Sequence, residues 1–574
     1  RDETIDDIRK TIHTIDSPCG SNFIALLKQR VDSGDDILRE HLESGPKNAS
    51  YTSWLVQNEV IECIHKHVLN QILCRTNNCL FSIIVDETTD TSTAEQLSIS
   101  LRYYDEKTED IREDFLAFIE TISCTGESIA DIISDYLKEH NLPFENCIGQ
   151  AYDGGSNMSG IYQGCQAIMK QKCPDADYYH CSNHCLNLAL VDSCSITQIR
   201  NMIGTIKEVI NFFKHSPKRM FALRSEITQY QGEYIFSTNK KRLLSLCDTR
   251  WVDRNTSIET FVEMYIPIVN TLDKFRIGAL KDSTAEQLYH SITNFQHIVT
   301  TCISCFLLSD IVPLSRLLQS ETLDFSIANR YVDDLLDTFE HRKRQAHDYF
   351  HNIIYSHVNE LCKELFVEPS IPRHSILVLR RKNISISDPE EFYRDYVYLP
   401  FLNELISNIH RRLSILKNPR IILLSKLRPE IIVQEKSFEL TLQLLKQFCN
   451  HLPCPLQLNS ELQRWQKKCE ELIKMDANWK KRWLNEIIKQ TDKILYPNVR
   501  HLLVFLATLP VSTASAERSF SQLLRIKSYC RSTMNQNRLN GLAAAYIHKD
   551  LEISPDEILK LYTIMNSRRS DLSI

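Results

Sequence analysis

Glycine and proline are scarce in this chain, 13 and 18 among 574 residues. These residues punctuate chains with tight turns, so their shortage predicts a mostly helical protein with few tight turns. Long hydrophobic runs are missing too. A membrane span needs roughly 20 apolar residues, and the longest candidate, Leu502 to Val511, is about half that and contains Pro510. The N-terminus, Arg1-Asp2-Glu3-Thr4, has neither a start methionine nor an apolar stretch of signal type, which leads us to expect a fragment with something removed upstream. Internal repeats and low-complexity segments are absent as well. Cysteine is not scarce, but the 19 cysteines are scattered, and many sit in apolar runs, as Cys302 and Cys305 do. That pattern predicts buried thiols in a reducing intracellular compartment rather than a disulfide framework.

What is present is ordinary globular material, 43% hydrophobic and 24% charged. The length implies roughly three or four folding units. A net charge of −6 argues against a uniformly basic nucleic-acid binder, but its distribution is uneven. Residues 1–150 hold 13 Lys/Arg against 28 Asp/Glu, and the remainder hold 54 against 45. Residues 200–254 alone carry 11 basic and 5 acidic side chains, an arrangement compatible with a localised phosphate-binding face.

Residues 1–78 read as helical. Trp54, Val56, Val60, Ile61, Ile64 and Val68 recur at helical spacing, and Ser21 or Ser53 suits a helix start. Cys63 and His67, four apart, are a weak metal-ligand pair without a second pair nearby. The pattern then changes. Cys79 to Val85 is a short continuous apolar run, as in a strand buried on both faces, and it ends in Asp86-Glu87-Thr88-Thr89-Asp90. Leu97, Ile99, Leu101 and Tyr103 alternate with polar residues as a second strand, and Phe115 to Ile122 makes a third. Ile129, Ile132, Ile133, Tyr136 and Leu137 follow helical spacing. Cys147 to Tyr152 is a fourth strand, again ended by an acid, Asp153, and Tyr178 to Cys181 a fifth, running into a helix through Leu186 to Leu190. This order, with acids at two strand ends, is that of an RNase H-like α/β sheet, a fold-level analogy.

Residues 196–498 show no convincing strand and read as an all-helical insertion, with amphipathic helices such as Val262 to Phe275 and Leu440 to Phe448. The first part of the core is then 79–195 and its completion 499–574. In the latter, Ser512, Thr513 and Ser515 are candidate caps that put Glu517 in a first helical turn, and Phe520, Leu523 and Leu524 are expected to pack that helix on the sheet. Asp86, Asp153 and Glu517 form a candidate triad. Carboxylates at neighbouring strand ends and on a packed helix suit two Mg²⁺ or Mn²⁺ ions and in-line displacement at phosphorus. Taken singly, each acid is better explained as a turn former, cap or dipole complement, and only the motifs together reverse that balance.

Five strings occur in order: Val85-Asp86-Glu87-Thr88-Thr89-Asp90, Ala151 to Met158 (AYDGGSNM), Cys181 to Leu188 (CSNHCLNL), Thr249-Arg250-Trp251, and Ser515 to Ser521 (SAERSFS). Together they resemble the hAT superfamily of DNA transposases, in particular the branch with transposase-derived zinc-finger proteins of MYM-type and THAP-related kinds. The resemblance spans about residues 20 to 565 and implies that Asp86, Asp153 and Glu517 are the catalytic, metal-holding acids, the last carried downstream by the inserted helical domain. Glu87-Thr88 stands where the family often has Trp-Thr. Cys181 and His184 match the family's Cys-x-x-His element beside the active site, and His184 is a candidate DNA contact. Crowding at that strand–helix junction argues against a zinc site made from Cys173, His180, Cys181, His184 and Cys185. Trp251 matches a tryptophan that stacks on an extruded base, with a buried core role as its bland alternative, and Arg250 and Arg254 are candidate phosphate contacts. The stretch through Arg538 to Ala543 resembles the family's dimerisation region, although an intrachain partner for Leu539, Leu542 and Ala543 would look the same. The resemblance thus implies a nuclear protein that binds double-stranded DNA as a homodimer or larger homo-oligomer. Its function would be hairpin-forming DNA cleavage and strand transfer or, alternatively, transcriptional regulation by a domesticated protein without transposition. The zinc-finger DNA-binding domain usual at the family's N-terminus is not visible.

Overall fold

The chain enters its sheet from a long helix, α1 (Trp54–Thr76), whose start is capped by Ser53 accepting from the Val56 N–H. The computed structural model describes residues 22–45, 50–230, 243–246, 251–277, 282–373, 375–376, 388–528 and 531–565; Ser21 lies outside them. Three strands follow, β1 (Phe81–Thr89), β2 (Glu95–Asp105) and β3 (Asp110–Thr121), then helix α2 (Gly126–Glu139), strand β4 (Cys147–Tyr152), helix α3 (Cys165–Lys172), strand β5 (Asp177–His180) and helix α4 (Ser182–Ser193). They form one five-stranded sheet in the order β3-β2-β1-β4-β5. β1, β2 and β3 pair antiparallel, whereas β4 and β5 join β1's other side in parallel.

The two faces of this sheet are covered differently. Phe81, Ile83 and Val85 of β1 and Leu97, Ile99 and Leu101 of β2 pack with α1, α2 and α3. The opposite face carries small or polar side chains, Ser82, Ser98, Ser100 and Arg102, and all four are buried as well. The alternation in β2 therefore does not mark a solvent-facing side. Short side chains there let helices α5 (Pro497–Thr508) and α6 (Ala514–Ile526) lie close to the sheet. At Gly149 a Cβ would come within 2.5 Å of Ser82 Oγ and 2.9 Å of Pro510 Cδ, between α5 and α6.

The limit of β1 differs from the sequence reading in a way that matters for the site. β1 continues past Val85 to Thr89, because β-branched Thr88 and Thr89 pair with Gln96 and Glu95 of β2. Asp86 thus sits inside a strand rather than after one. Its parallel neighbour β4 stops at Tyr152, so this part of β1 is paired on one side only.

No strand occurs among the described residues between Ser193 and Pro497. The expected helix from Val262 to Phe275 is two, Trp251–Glu263 and Tyr265–Ile277. Pro267, lacking an N–H and crowding the carbonyl four residues back, accounts for the break. This helical region is tied to the sheet through Arg102, 1% exposed. Its guanidinium donates to the carbonyls of Ala507 (2.9 Å), Glu321 (2.8 Å) and Leu323 (2.7 Å), and to the Glu113 carboxylate (2.6 Å).

The chain closes with α7 (Gln536–Ile547) and α8 (Pro555–Met565), which lie on α1. Leu539 and Ala543, with Leu542 partly buried, pack against Phe115, Phe118, Leu523 and Ile526 of the same chain, so this apolar face has an intrachain partner. The Asn540 amide caps the edge strand, accepting from Phe118 N–H (2.8 Å) and donating to its C=O (3.0 Å). Leu524 departs from expectation: it faces solvent, while Phe520 and Leu523 pack inward.

Candidate active site

Register decides where the first two acids meet. Ile84 of β1 pairs with Ala151 of β4. Two residues further on, with the pleat returning to the same face, Asp86 and Asp153 come side by side. Ala516 packs onto that pair, forming a small buried cluster with Ile84 and Ala151, and this seats α6 over both strands. Ser519 of α6 hydrogen-bonds Ser98 (2.8 Å), the β2 residue opposite Asp86. Glu517, between Ala516 and Ser519, is thereby delivered to the two strand acids across 364 residues of sequence.

The electrostatics agree with this placement. The Asp86 carboxyl is pushed well above the usual carboxylate range, first by burial, then by the charges of Asp153 and Glu517. Each strand acid is also oriented by backbone: Asp86 accepts from the Glu87 N–H (3.0 Å) and Asp153 from the Gly155 N–H (3.1 Å). Among the described residues, no three His, Cys, Asp or Glu side chains converge tightly enough to hold an ion. The acids form a loose cluster in which Asp153 and Glu517 oppose the charge of Asp86. Their all-oxygen donor set still fits a hard divalent cation by chemistry.

The glycines of the Asp153-Gly154-Gly155 string are explained by crowding. A Cβ on Gly154 would meet His180 Cε1 and Nε2 at 2.7 Å and His184 Nε2 at 3.4 Å, and one on Gly155 would meet Asn157 Oδ1 at 2.6 Å. His184 therefore stands beside Asp153, its ring 5.4 Å from that of His180. Burial, then His184, lowers the His180 imidazole to about 4, and its Nε2 is buried without a hydrogen-bond partner. Tyr178 donates to the Asp153 carbonyl (2.9 Å).

Cys181 acts as a fastener. Its sulfur accepts from the Thr513 N–H (3.3 Å), one turn before Glu517, and the neighbouring Ser182 N–H donates to Val511 (3.1 Å). Burial, then Glu517, pushes the Cys181 thiol up to about 11, so it stays protonated. Of the members of the zinc reading, Cys173 lies apart, buried with the opposite core, whereas Cys185 stays near Cys181. Cys63 and His67 likewise diverge, toward Met565 sulfur and the Glu552 carbonyl. Every cysteine among the described residues is a free thiol.

Of the proposed caps, Thr513 holds the N-cap position of α6 without a side-chain hydrogen bond. Ser515 lies within the helix, bonded to Glu113 and Arg518. Arg250 and the side chains of Trp251 and Arg254 lie outside the described residues. The sequence reading passed over Asn157, which donates to Glu87 and to the Cys124 carbonyl, both at 3.0 Å. It also passed over Arg518, which ties α6 to Gln319 and Glu321 of the helical region. Asn157 falls inside a string already singled out, and that was its signal; Arg518 carried none beyond its string.

Comparison with known proteins divides the acids between two matches. Residues 7–164, with Asp86 and Asp153, match the family model described as the ZMYM1/FAM200, RNase-like domain. Residues 468–551, with Glu517, match the hAT family C-terminal dimerisation region. Along nearly its whole length the chain is similar to the human protein named "52 kDa repressor of the inhibitor of the protein kinase". The two are 26% identical over 573 residues, 96% of this chain and 73% of the human protein. The Mus musculus protein of the same name is 26% identical over 568 residues, 94% of this chain and 72% of its own length.

Proposed function

We propose that this chain, which carries matches to the ZMYM1/FAM200 RNase-like domain and to the hAT C-terminal dimerisation region, is a hAT-transposase-derived, DNA-binding transcriptional regulator of the nucleus. The observation that carries this reading is end-to-end similarity to proteins named as repressors, extending through sheet, helical region and C-terminal segment alike. The strand order 3-2-1-4-5, with three antiparallel strands followed by two parallel ones, supports an RNase H-like scaffold. The dimerisation region supports a homo-oligomer on double-stranded DNA, with Trp251, Arg250, Arg254 and His184 as the proposed DNA contacts.

A second reading, metal-dependent cleavage and strand transfer, is favoured by one observation: Asp153 and Glu517 both lie close enough to Asp86 to oppose its charge. Such a carboxylate cluster is costly to the fold, and Mg²⁺ or Mn²⁺ bound there would activate water and stabilise charge at phosphorus. The chain's own contribution is positional. Asp86 and Asp153 are set by the β1–β4 register, Glu517 by α6, and His180, held neutral, accepts no proton from its surroundings near neutral pH.

The full chain, incubated with duplex DNA and Mn²⁺, separates the two readings. Retained binding without nicks or hairpins is the expected result for the regulator. Cleavage lost in Asp153→Asn and Glu517→Gln would instead establish the enzyme, and cleavage surviving both would remove the triad from it.

A further inference from the structure

Seven residues after Asp153 the chain turns outward in a short loop, Gly160-Ile161-Tyr162-Gln163-Gly164, that none of the interactions above employs. Its tip is apolar and bare: Ile161 is 72% and Tyr162 84% exposed. Its base, by contrast, is locked. The Gly164 N–H donates to the Gly160 carbonyl (3.1 Å), closing the loop on itself. The two glycines approach so closely that a Cβ on Gly164 would lie 2.3 Å from Gly160 N. Gly126, at the start of α2, presses on the same base, where its Cβ would meet Gln163 O at 2.3 Å and Cys165 N at 2.7 Å. Gln166 adds a hydrogen bond to the Gly160 carbonyl (3.2 Å).

The platform beneath the loop is continuous with the acids. Ser159 donates to the carbonyls of Gly154 (3.1 Å) and Gly155 (2.9 Å), and Asn157 to the carboxylate of Glu87, the residue after Asp86. A projection with a locked base, ending in an aliphatic and an aromatic side chain, leaves apolar surface in water, and ordering entropy has already been lost in its base. It has the form of a wedge. Apolar wedges enter duplex DNA between base steps, unstacking and bending it.

We propose that Ile161 and Tyr162 form an intercalating wedge that inserts between base pairs of DNA lying along the acid cluster. The inference rests on the DNA-binding reading above and commits to duplex DNA as the occupant. Tyr162 would stack on one exposed base face and Ile161 fill the opened step.

The test uses the full chain and mixed-sequence duplexes carrying 2-aminopurine at successive positions, whose emission rises on unstacking. Wild-type protein is expected to raise emission severalfold at one or two adjacent positions. The Ile161→Ser/Tyr162→Ser variant should lose that rise and bind duplex about tenfold more weakly, with unchanged melting temperature because both side chains are exposed. Tyr162→Phe should retain the rise. If wild-type protein binds without an emission change, or the double variant keeps it, the wedge is overturned and the DNA-binding reading stands. If wild-type protein binds no duplex, both fall.

Discussion

Asp86 illustrates a side chain kept against the interest of the fold. It is held where burial and two neighbouring carboxylates all oppose its charge. Asp86→Asn removes that repulsion at nearly constant shape, so we expect the variant to be more stable in chelator by about 1 kcal/mol, a rise of about 1 °C in Tm for a chain this long. Thermal melts with and without EDTA check this, and a lower Tm would mean that the three charges do not meet. Asp90, four residues on, shows the opposite balance. Burial would raise its carboxyl, but Lys527 at 2.5 Å and Ser92 hold it down to about 2. A carboxylate whose pKa is lowered on folding stabilises above its ordinary value near 3.8 and loses that contribution as pH falls toward 2. Acid unfolding should therefore steepen between about pH 4 and pH 2. Lys527→Met, which leaves Asp90 buried and unpaired, should cost about 3–5 kcal/mol at neutral pH, read from urea midpoints.

Helices meet the sheet and one another through residues chosen for smallness. Gly541 of α7 is the clearest case: a Cβ there would meet Ile61 Cγ2 at 2.4 Å and Ile61 O at 2.5 Å. Because one of those atoms is backbone, a rotamer change cannot relieve the contact. Gly541→Val should cost about 1–3 kcal/mol by overpacking and expose the α1–α7 contact, detectable as faster amide exchange in α7. Exchange confined to other elements would show that the two helices do not pack this closely. Asn540, next to it, satisfies both backbone groups of Phe118 on the edge strand, so α7 also closes an edge open to pairing. The apolar face of α7 is spent within the chain, and a homo-oligomer must use other surfaces of the dimerisation region.

For the molecule as a whole, Arg102 is the post between sheet and helical region. Arg102→Ala would take from buried Glu113 its closest cation, leaving it the Ser515 hydroxyl and the more distant Arg518, and release the carbonyls of Glu321 and Leu323. The expected loss is about 3–5 kcal/mol, with new proteolytic cleavage near residues 319–323. An unchanged digestion pattern would show that the two parts are held together elsewhere. Much of this architecture is legible in the sequence, because local patterns carry it. Apolar runs mark β1 and β4, period 3.6 marks α2, and Asp86 and Asp153 fall where such runs end. Local cap candidates place Glu517 in a first helical turn, but only the order of its motif places it with the two strand acids. Three things are decided only in the folded chain, since each depends on partners far away in sequence. The Ile84–Ala151 register brings the strand acids abreast, and Ala516 seats α6 on that register. The polar residues of β2, Ser98, Ser100 and Arg102, look solvent-facing by alternation yet lie beneath helices contributed some 400 residues later. Periodicity along one segment reports that a side chain needs cover or a polar partner; it carries no information about which distant element supplies it.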